Sequence, residues 1–308
     1  MKNRFVRQIV FPLIAAMIWG TAFVAQSRCA GLIPPFVFNA LRSAIAVMVL
    51  VPVALVFDGA AQKRGEPRKS DRKALLVGGA LMGVALSISA NLQQAGIAEA
   101  SVGKAGFITA FYVVLVPVLG IFLKKKAGVR IWVSVALAVA GLYLLCITAG
   151  ESLLSSLRVS DIYLILCAVF YAVQILLIDH YAQNADGIWL SVVQFAVTAV
   201  LSGLLSLCFE RVDWANVLRC VWPLLYVGVM SSGVAYTLQI LAQKDSNPTV
   251  VTLLFSLESV FSVLAGAVLL GDRLTGREYL GCALMFSAVI LAQIPLGRRS
   301  VEHPDQTP

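Results

Sequence analysis

The sequence predicts an all-α integral membrane protein, with ten transmembrane helices in two inverted five-helix repeats around a central cavity. Three observations predict it. Hydrophobic residues make up 59% of the 308 and charged residues only 13%, against roughly 25% charge in a soluble domain, so the chain is solvated by lipid. Apolar runs of spanning length recur from one end of the sequence to the other. A recognisable copy of the stretch Ser87–Ile147 returns at Ser232–Pro295, and a period near half the chain length is the mark of a duplicated membrane unit.

In chain order, Lys2, Arg4 and Arg7 precede an apolar run from Ile9 to Gln26. A basic start of this kind also opens a signal peptide. With nine more spans behind it, the run reads as an uncleaved first helix. Crossing the hydrocarbon takes about 20 apolar residues. By that ruler the other spans are Pro35–Phe57, Ala74–Gly96, Val102–Leu123, Ile131–Ala149, Asp161–Ile178, Gly187–Phe209, Val221–Ala242, Thr249–Leu270 and Glu278–Pro295. Five spans per copy is an odd number, so the second copy enters from the opposite side. The repeats are expected at 1–149 and 150–308, the second ending in a short polar tail.

The repeat is carried by specific residues. Ser87, Asn91 and Gln94 are matched by Ser232, Tyr236 and Gln239 at an offset of 145. Two inserted residues around Asn247–Pro248 then move the offset to 147, which lays 131–137 over 278–284. Charge gives the orientation. With the N-terminus inside, inner segments hold sixteen Lys and Arg and outer segments six, while Arg42 and Lys104 lie within spans. The richest loop, Asp58–Lys73, is then cytoplasmic, as are both termini, in the plasma (inner) membrane of the cell. The net charge of +8 therefore reports topology and predicts no nucleic-acid partner.

Polar residues inside spans are the functional candidates. Gly83, Ser87, Asn91 and Gln94 share one helical face of the third span, and Ser232, Tyr236 and Gln239 share one of the eighth. A face containing Tyr163, Cys167, Phe170 and Gln174 is mixed. Such stripes point at protein or water, because facing lipid is costly. Either they glue helices together, at about 0.6 kcal/mol per contact, or they line a cavity. Their matched repeat positions favour a shared cavity, with Trp19, Arg42, Ser87, Asn91, Gln94, Tyr112, Gln174, Tyr236, Gln239 and Phe255 as its expected lining. Gly79-x-x-x-Gly83 would let a neighbouring helix approach closely.

Glu258 is the most informative charge. It lies about nine residues into its span, roughly 13 Å at 1.5 Å per residue, close to the midplane. A bare carboxylate there costs about 2.5–3.5 kcal/mol on insertion scales, which makes Glu258 the proton-coupling candidate, with a structural pairing to Arg42 as the alternative. Arg42 cannot shed its proton and needs a partner of its own. Pro117 and Gly120 could bend the fourth helix.

Other chemistry finds little support. Six cysteines are scattered with no Cys-x-x-Cys pair, and only Cys208 and Cys220 flank one short loop closely enough to meet. His180 and His303 offer no zinc ligand set. There is no Gly-x4-Gly-Lys-[ST] loop, His-Glu-x-x-His or Gly-x-Ser-x-Gly, so neither a cofactor nor a catalytic residue is predicted.

Several motifs in order carry a resemblance. Ile18-Trp19-Gly20-Thr21, Leu41-Arg42, Ala105-Gly106-Phe107-Ile108-Thr109 with Pro117, Ser256-Leu257-Glu258 and Leu269-Leu270-Gly271-Asp272-Arg273-Leu274 resemble the EamA-type drug/metabolite transporters over nearly the whole chain. The resemblance implies two inverted five-helix halves that move small organic metabolites, often outward, without ATP. Family members often have proline where this chain has Ser259, and Gly-Glu where it has Gly271-Asp272. The expected function is secondary active export of small, amino-acid-like metabolites by alternating access, with the substrate, the bilayer and protons as partners. The alternative is a polytopic membrane enzyme acting on a lipid or amphipathic substrate. Monomer and homodimer are equally open.

Overall fold

The computed structural model describes residues 5–65, 70–100, 102–124, 127–147, 158–244, 246–270 and 274–294. The join at 149–150, Arg68, Lys69, Lys125, Lys126, Gly271-Asp272-Arg273, His303 and the polar tail lie outside them. Helix dominates, and no strand occurs among the described residues. Among the described residues, nine helices are long and apolar enough to cross a membrane. In chain order we name α1 (Val6–Cys29), α2 (Pro35–Lys63), α3 (Ala74–Glu99), α4 (Val102–Thr109 and Tyr112–Phe122), α5 (Val129–Cys146), α6 (Val159–Tyr181), α7 (Gly187–Phe209), α8 (Val221–Gln243), α9 (Pro248–Phe255 and Glu258–Leu270) and α10 (Gly276–Gln293). α10 supplies the tenth span. It has 18 residues and opens on Arg277 and Glu278, which lower its mean hydropathy.

The spans begin and end within a few residues of where the sequence places them, several extended, while α5 stops at Cys146 short of the expected Ala149. α2 runs six residues past Phe57, since Gly59-Ala60-Ala61-Gln62-Lys63 continues a helix readily once outside the hydrocarbon, and it stops before Gly65 at φ +73°. Asn247 and Asp186 cap α9 and α7 with side-chain oxygens, and a capping box between Thr275 and Glu278 opens α10.

The two halves interlock. α3 packs on α6 and α7, while α8 packs on α1 and α2; α4 lies against α6 and α9 against α1. Each half thus seats its third and fourth helices on the first and second of the other. Equal positions also pair. α2 pairs with α7, joined at one end by the Trp189 indole N–H donating to Asp58 Oδ2 at 2.7 Å. At the other end the backbone N–H groups of Phe36 and Val37 donate to the Glu210 carboxylate at 3.0 and 2.8 Å. The start of each helix therefore meets the end of its partner. α5 and α10 are antiparallel in the same way. Arg130 reaches Ile294 O, and Arg277 reaches Leu144 O with its guanidinium over the Tyr143 ring. Equal helices running in opposite senses are what an inverted repeat requires.

Close approaches occur where glycine permits them. A Cβ at Gly83 would meet Gln194 O of α7 at 2.7 Å, and one at Gly79 would meet Val193 at 2.6 Å. At the equivalent place in the other half, a Cβ at Gly228 would meet Ile45 of α2 at 2.7 Å. α1 crosses α9 as closely, where a Cβ at Gly20 would meet Glu258 O and Phe261 Cβ, both at 2.6 Å.

Candidate functional site

Both fourth helices break near mid-length. α4 is interrupted at Ala110–Phe111 and α9 at Ser256–Leu257, positions related by an offset of 146. The turns between the halves close with three-residue bonds such as Phe111 N–H to Ile108 O and Leu257 N–H to Leu254 O. In α4 the break falls ahead of Pro117, which lies inside the second half-helix. In α9 no proline is needed, since the break forms with Ser259 in place. Each second half-helix starts on a polar side chain, Tyr112 in one and Glu258 in the other. The two meet, the Tyr112 hydroxyl donating to Glu258 Oε1 at 3.2 Å.

A cavity surrounds this contact, lined by Trp19, Phe23 and Gln26 of α1, Arg42 of α2 and Gln93 of α3. Thr109, Tyr112, Tyr171, Ile175, Ser231, Tyr236, Gln239, Phe255 and Glu258 complete it. Trp19 stands edge-on to Tyr236 at 5.0 Å and to Phe255 at 5.2 Å, and Tyr236 is edge-on to Phe195 at 5.4 Å, so one corner is aromatic. Arg42, buried, donates from Nη1 to Gln26 Oε1 at 3.2 Å. It makes no ion pair with Glu258 among the described residues. Tyr171 links two walls, donating to Gln93 Oε1 at 3.0 Å and accepting from the Tyr236 hydroxyl at 3.4 Å.

Four polar atoms on these lining residues are buried without a hydrogen-bond partner: Trp19 Nε1, Arg42 Nε, Thr109 Oγ1 and Gln239 Oε1. Buried polar atoms are normally paired, so this wall has donors and an acceptor to offer a polar guest. Space is short. The cavity leaves ≈ 40 Å³ for the centre of a water molecule, where a single water needs about 10–15 Å³. At the end of the bundle formed by Pro117, Gly120, Leu176, Asp179, Ser246, Asn247, Pro248 and Thr249, a second, polar pocket leaves ≈ 330 Å³. A metabolite would fit the wide pocket as it stands and the central one only after it opens.

The residues singled out in the sequence divide into two groups. Trp19, Arg42, Tyr112, Tyr236, Gln239, Phe255 and Glu258 are on the cavity wall. Ser87, Asn91, Gln94 and Gln174 are not. Asn91 accepts from Asn39 at 2.9 Å and donates to Ser87 O at 2.7 Å and Ser202 Oγ at 2.9 Å, which ties α2, α3 and α7 together. Ser87 Oγ lies 3.3 Å from Ser202 Oγ. Gln174 is behind the wall, donating to Gln194 Oε1 at 2.9 Å and accepting from Gln239 at 3.5 Å. Gln94 is buried with both amide atoms unpartnered.

The cause lies in α8. Residues Val227–Ala235 form a π-helix, while the matching stretch of α3, 82–90, is ordinary α-helix. A π turn bonds i to i+5 and so takes in one residue more than an α turn. Gly83 and Gly228, before the π stretch has run, make equivalent close contacts at the sequence offset of 145. Beyond it the equivalence moves by one. Gln93 and Gln239 both line the cavity, and their offset is 146. Of the lining residues that sequence reasoning missed, Gln93 follows from this shift, while Phe23, Gln26, Thr109, Tyr171, Ile175 and Ser231 had no repeat signal to mark them.

These features define a class, a polytopic membrane protein of two inverted, interlocked halves with a polar, partly aromatic cavity where they meet. Its family follows from comparison with known proteins. The model of the EamA-like transporter family matches residues 7–147 and again 158–293, and the chain belongs to that family. Among curated relatives, an uncharacterized transporter of Archaeoglobus fulgidus is 28% identical over 286 residues, covering 91% of this chain and 84% of its own. The uncharacterized transporter YoaV of Bacillus subtilis is 23% identical over 292 residues, covering 92% and 96%. One crystal structure superposes with a TM-score of 0.74 at 20% identity, covering 93% of this chain and 96% of that one, a likeness of fold.

Proposed function

We propose that this chain is a secondary active exporter of small, amino-acid-like metabolites that works by alternating access, with Glu258 as the proton-coupling group. The observation that carries the reading is the central cavity. It lies where the breaks in α4 and α9 meet, and it holds a buried arginine and a buried carboxyl that do not neutralise one another. Arg42 has an unpartnered Nε–H to offer a substrate carboxylate. Glu258 can take either a substrate ammonium or a proton. The Trp19, Tyr236 and Phe255 rings supply an apolar surface between. Narrowing at the centre with a wide pocket at one end supports a state of the cycle in which access is one-sided. Outward direction rests on the family resemblance, and the absence of an ATP loop points to an ion gradient as the driving force.

The basic residues support a cytoplasmic N-terminus, C-terminus and Asp58–Lys73 loop. A single cysteine introduced as Gly65→Cys, on a background lacking native cysteines, should label with an impermeant maleimide only after the cells are opened. Labelling from outside intact cells would reverse the topology.

Function is tested by a thermal-shift screen of amino acids on the purified protein, since a ligand of the native state raises its apparent stability, followed by transport of each hit in sealed vesicles. Movement of the unaltered compound, faster with an imposed proton gradient, is expected. Recovery of a chemically altered compound would favour the membrane enzyme instead.

A further inference from the structure

At one end of the bundle the last residue of α1 and the residue that opens α8 are both cysteines. Cys29 ends α1, and Cys220 joins the short connecting helix Trp214–Arg219 to α8. They belong to different halves, 191 positions apart. Both are buried, at 0% and 3% exposure, inside an apolar cluster with Ile33, Val37, Phe38, Val217 and Leu224. The two side chains thus share one packed cluster built across the boundary between the halves. Cys208, the neighbour that sequence spacing offers to Cys220, is exposed instead, and all six cysteines are unbridged.

The place matters as much as the proximity. Further along the same two helices, Phe23 and Gln26 of α1 and Ser231 of α8 line the central cavity. Thr21 Oγ1 of α1 and Tyr226 OH of α8 lie 2.5 Å apart, a second link between the same two helices. The apolar cluster lies beside the cavity wall and is built from both repeats, so a covalent link across it would hold α1 to α8.

We propose that Cys29 and Cys220 form a reversible disulfide that staples the two halves together across this cluster, a redox latch beside the cavity. The oxidant is a small disulfide or a membrane quinone. One cysteine sulfur displaces a thiol from the oxidising disulfide, and the second then displaces the other thiol. One S–S bond forms as one breaks, and two thiols leave with both protons. A quinone takes the same two electrons and two protons to become its hydroquinone. Under the proposed topology this end faces outside, where disulfides persist. That the latch acts on transport rests on the alternating-access reading; that the pair can bridge does not.

The experiment uses the full-length protein in nanodiscs, oxidised with the diazene diamide, which accepts two hydrogens as it becomes a hydrazine. Free thiols are then alkylated with N-ethylmaleimide, and the protein is digested for mass spectrometry. The expected result is a Cys29–Cys220 linked peptide that dithiothreitol cleaves, absent in Cys29→Ser and Cys220→Ser and retained in Cys208→Ser. Cys→Ala replaces either serine variant that does not fold. Hydrogen exchange over 23–33 and 220–231 should slow about tenfold in the oxidised protein. Six alkylated cysteines, or a Cys208–Cys220 peptide, would overturn the pairing. A Cys29–Cys220 link with unchanged exchange would overturn the latch, while the transport reading would still stand or fall on its own ligand screen.

Discussion

α3 and α8 began as the same helix, yet they do different work. Both carry a stripe of three polar residues at the same spacing. In α3 that stripe is a fastener, Asn91 holding Asn39 and Ser202. In α8 it is part of the cavity wall, through Tyr236 and Gln239. The two copies turn differently at the same place: Val227–Ala235 of α8 is π-helical where the matching residues of α3 are α-helical, the π turn of α3 lying earlier, at Ala74–Gly78. Side chains matched in a repeat alignment are matched in space only while the helices keep the same turn. One extra residue per turn changes which face looks inward without changing a letter of the pattern.

The largest effects are expected on the cavity side of α8. Tyr236→Leu and Gln239→Leu should abolish ligand-induced thermal stabilisation while leaving folded yield unchanged, because both side chains touch the cavity. Glu258→Gln should retain binding and lose the response of transport to a proton gradient. Proton-driven transport at the wild-type rate would remove Glu258 from the coupling role.

Next in size is Gly20→Val. Its side chain would collide with α9 at Glu258 O and Phe261. Overpacking of this kind costs about 1–3 kcal/mol, and it displaces the carboxyl as well, so both melting temperature and transport should fall. Gly106→Ala on α4, where a Cβ meets nothing within 4 Å, serves as the control and should leave the melting temperature in place.

Asn91→Leu sharpens the fastener side. With two interhelical hydrogen bonds lost at about 0.6 kcal/mol each, the protein should be destabilised by about 1 kcal/mol, read as the shift in a denaturant titration. Transport per folded molecule should stay near wild type. The smallest effect is expected of Glu210→Gln. It keeps a hydrogen-bond acceptor on the N-terminus of α2 but removes the charge, at about 0.3–1 kcal/mol.

Much of this was legible in the residues. Span lengths, the internal repeat and the odd number of helices per copy led to inverted halves, and Gly79-x-x-x-Gly83 marked a close crossing that α3 makes on α7. Trp19, Arg42 and Glu258 stood out because polar or charged groups in lipid need a reason. The register shift did not. Nothing in Val227–Ala235 distinguishes a π turn from an α turn, since the offset of 145 holds through it in the sequence. The break in α9 has no proline to announce it, and the break in α4 comes before its proline. Cys29 and Cys220 share one buried cluster only because the halves interlock, which short-range spacing cannot reveal.

In the cavity the counterpart of Gln239 is Gln93, one residue before the sequence match Gln94. Single cysteines placed as Gln93→Cys, Gln94→Cys and Gln239→Cys on a background lacking native cysteines, reacted with a small methanethiosulfonate, test it directly. Positions 93 and 239 should react, and a ligand found in the thermal-shift screen should protect both, while position 94 stays unreacted. Ligand-protected labelling at 94 with none at 93 would contradict the account.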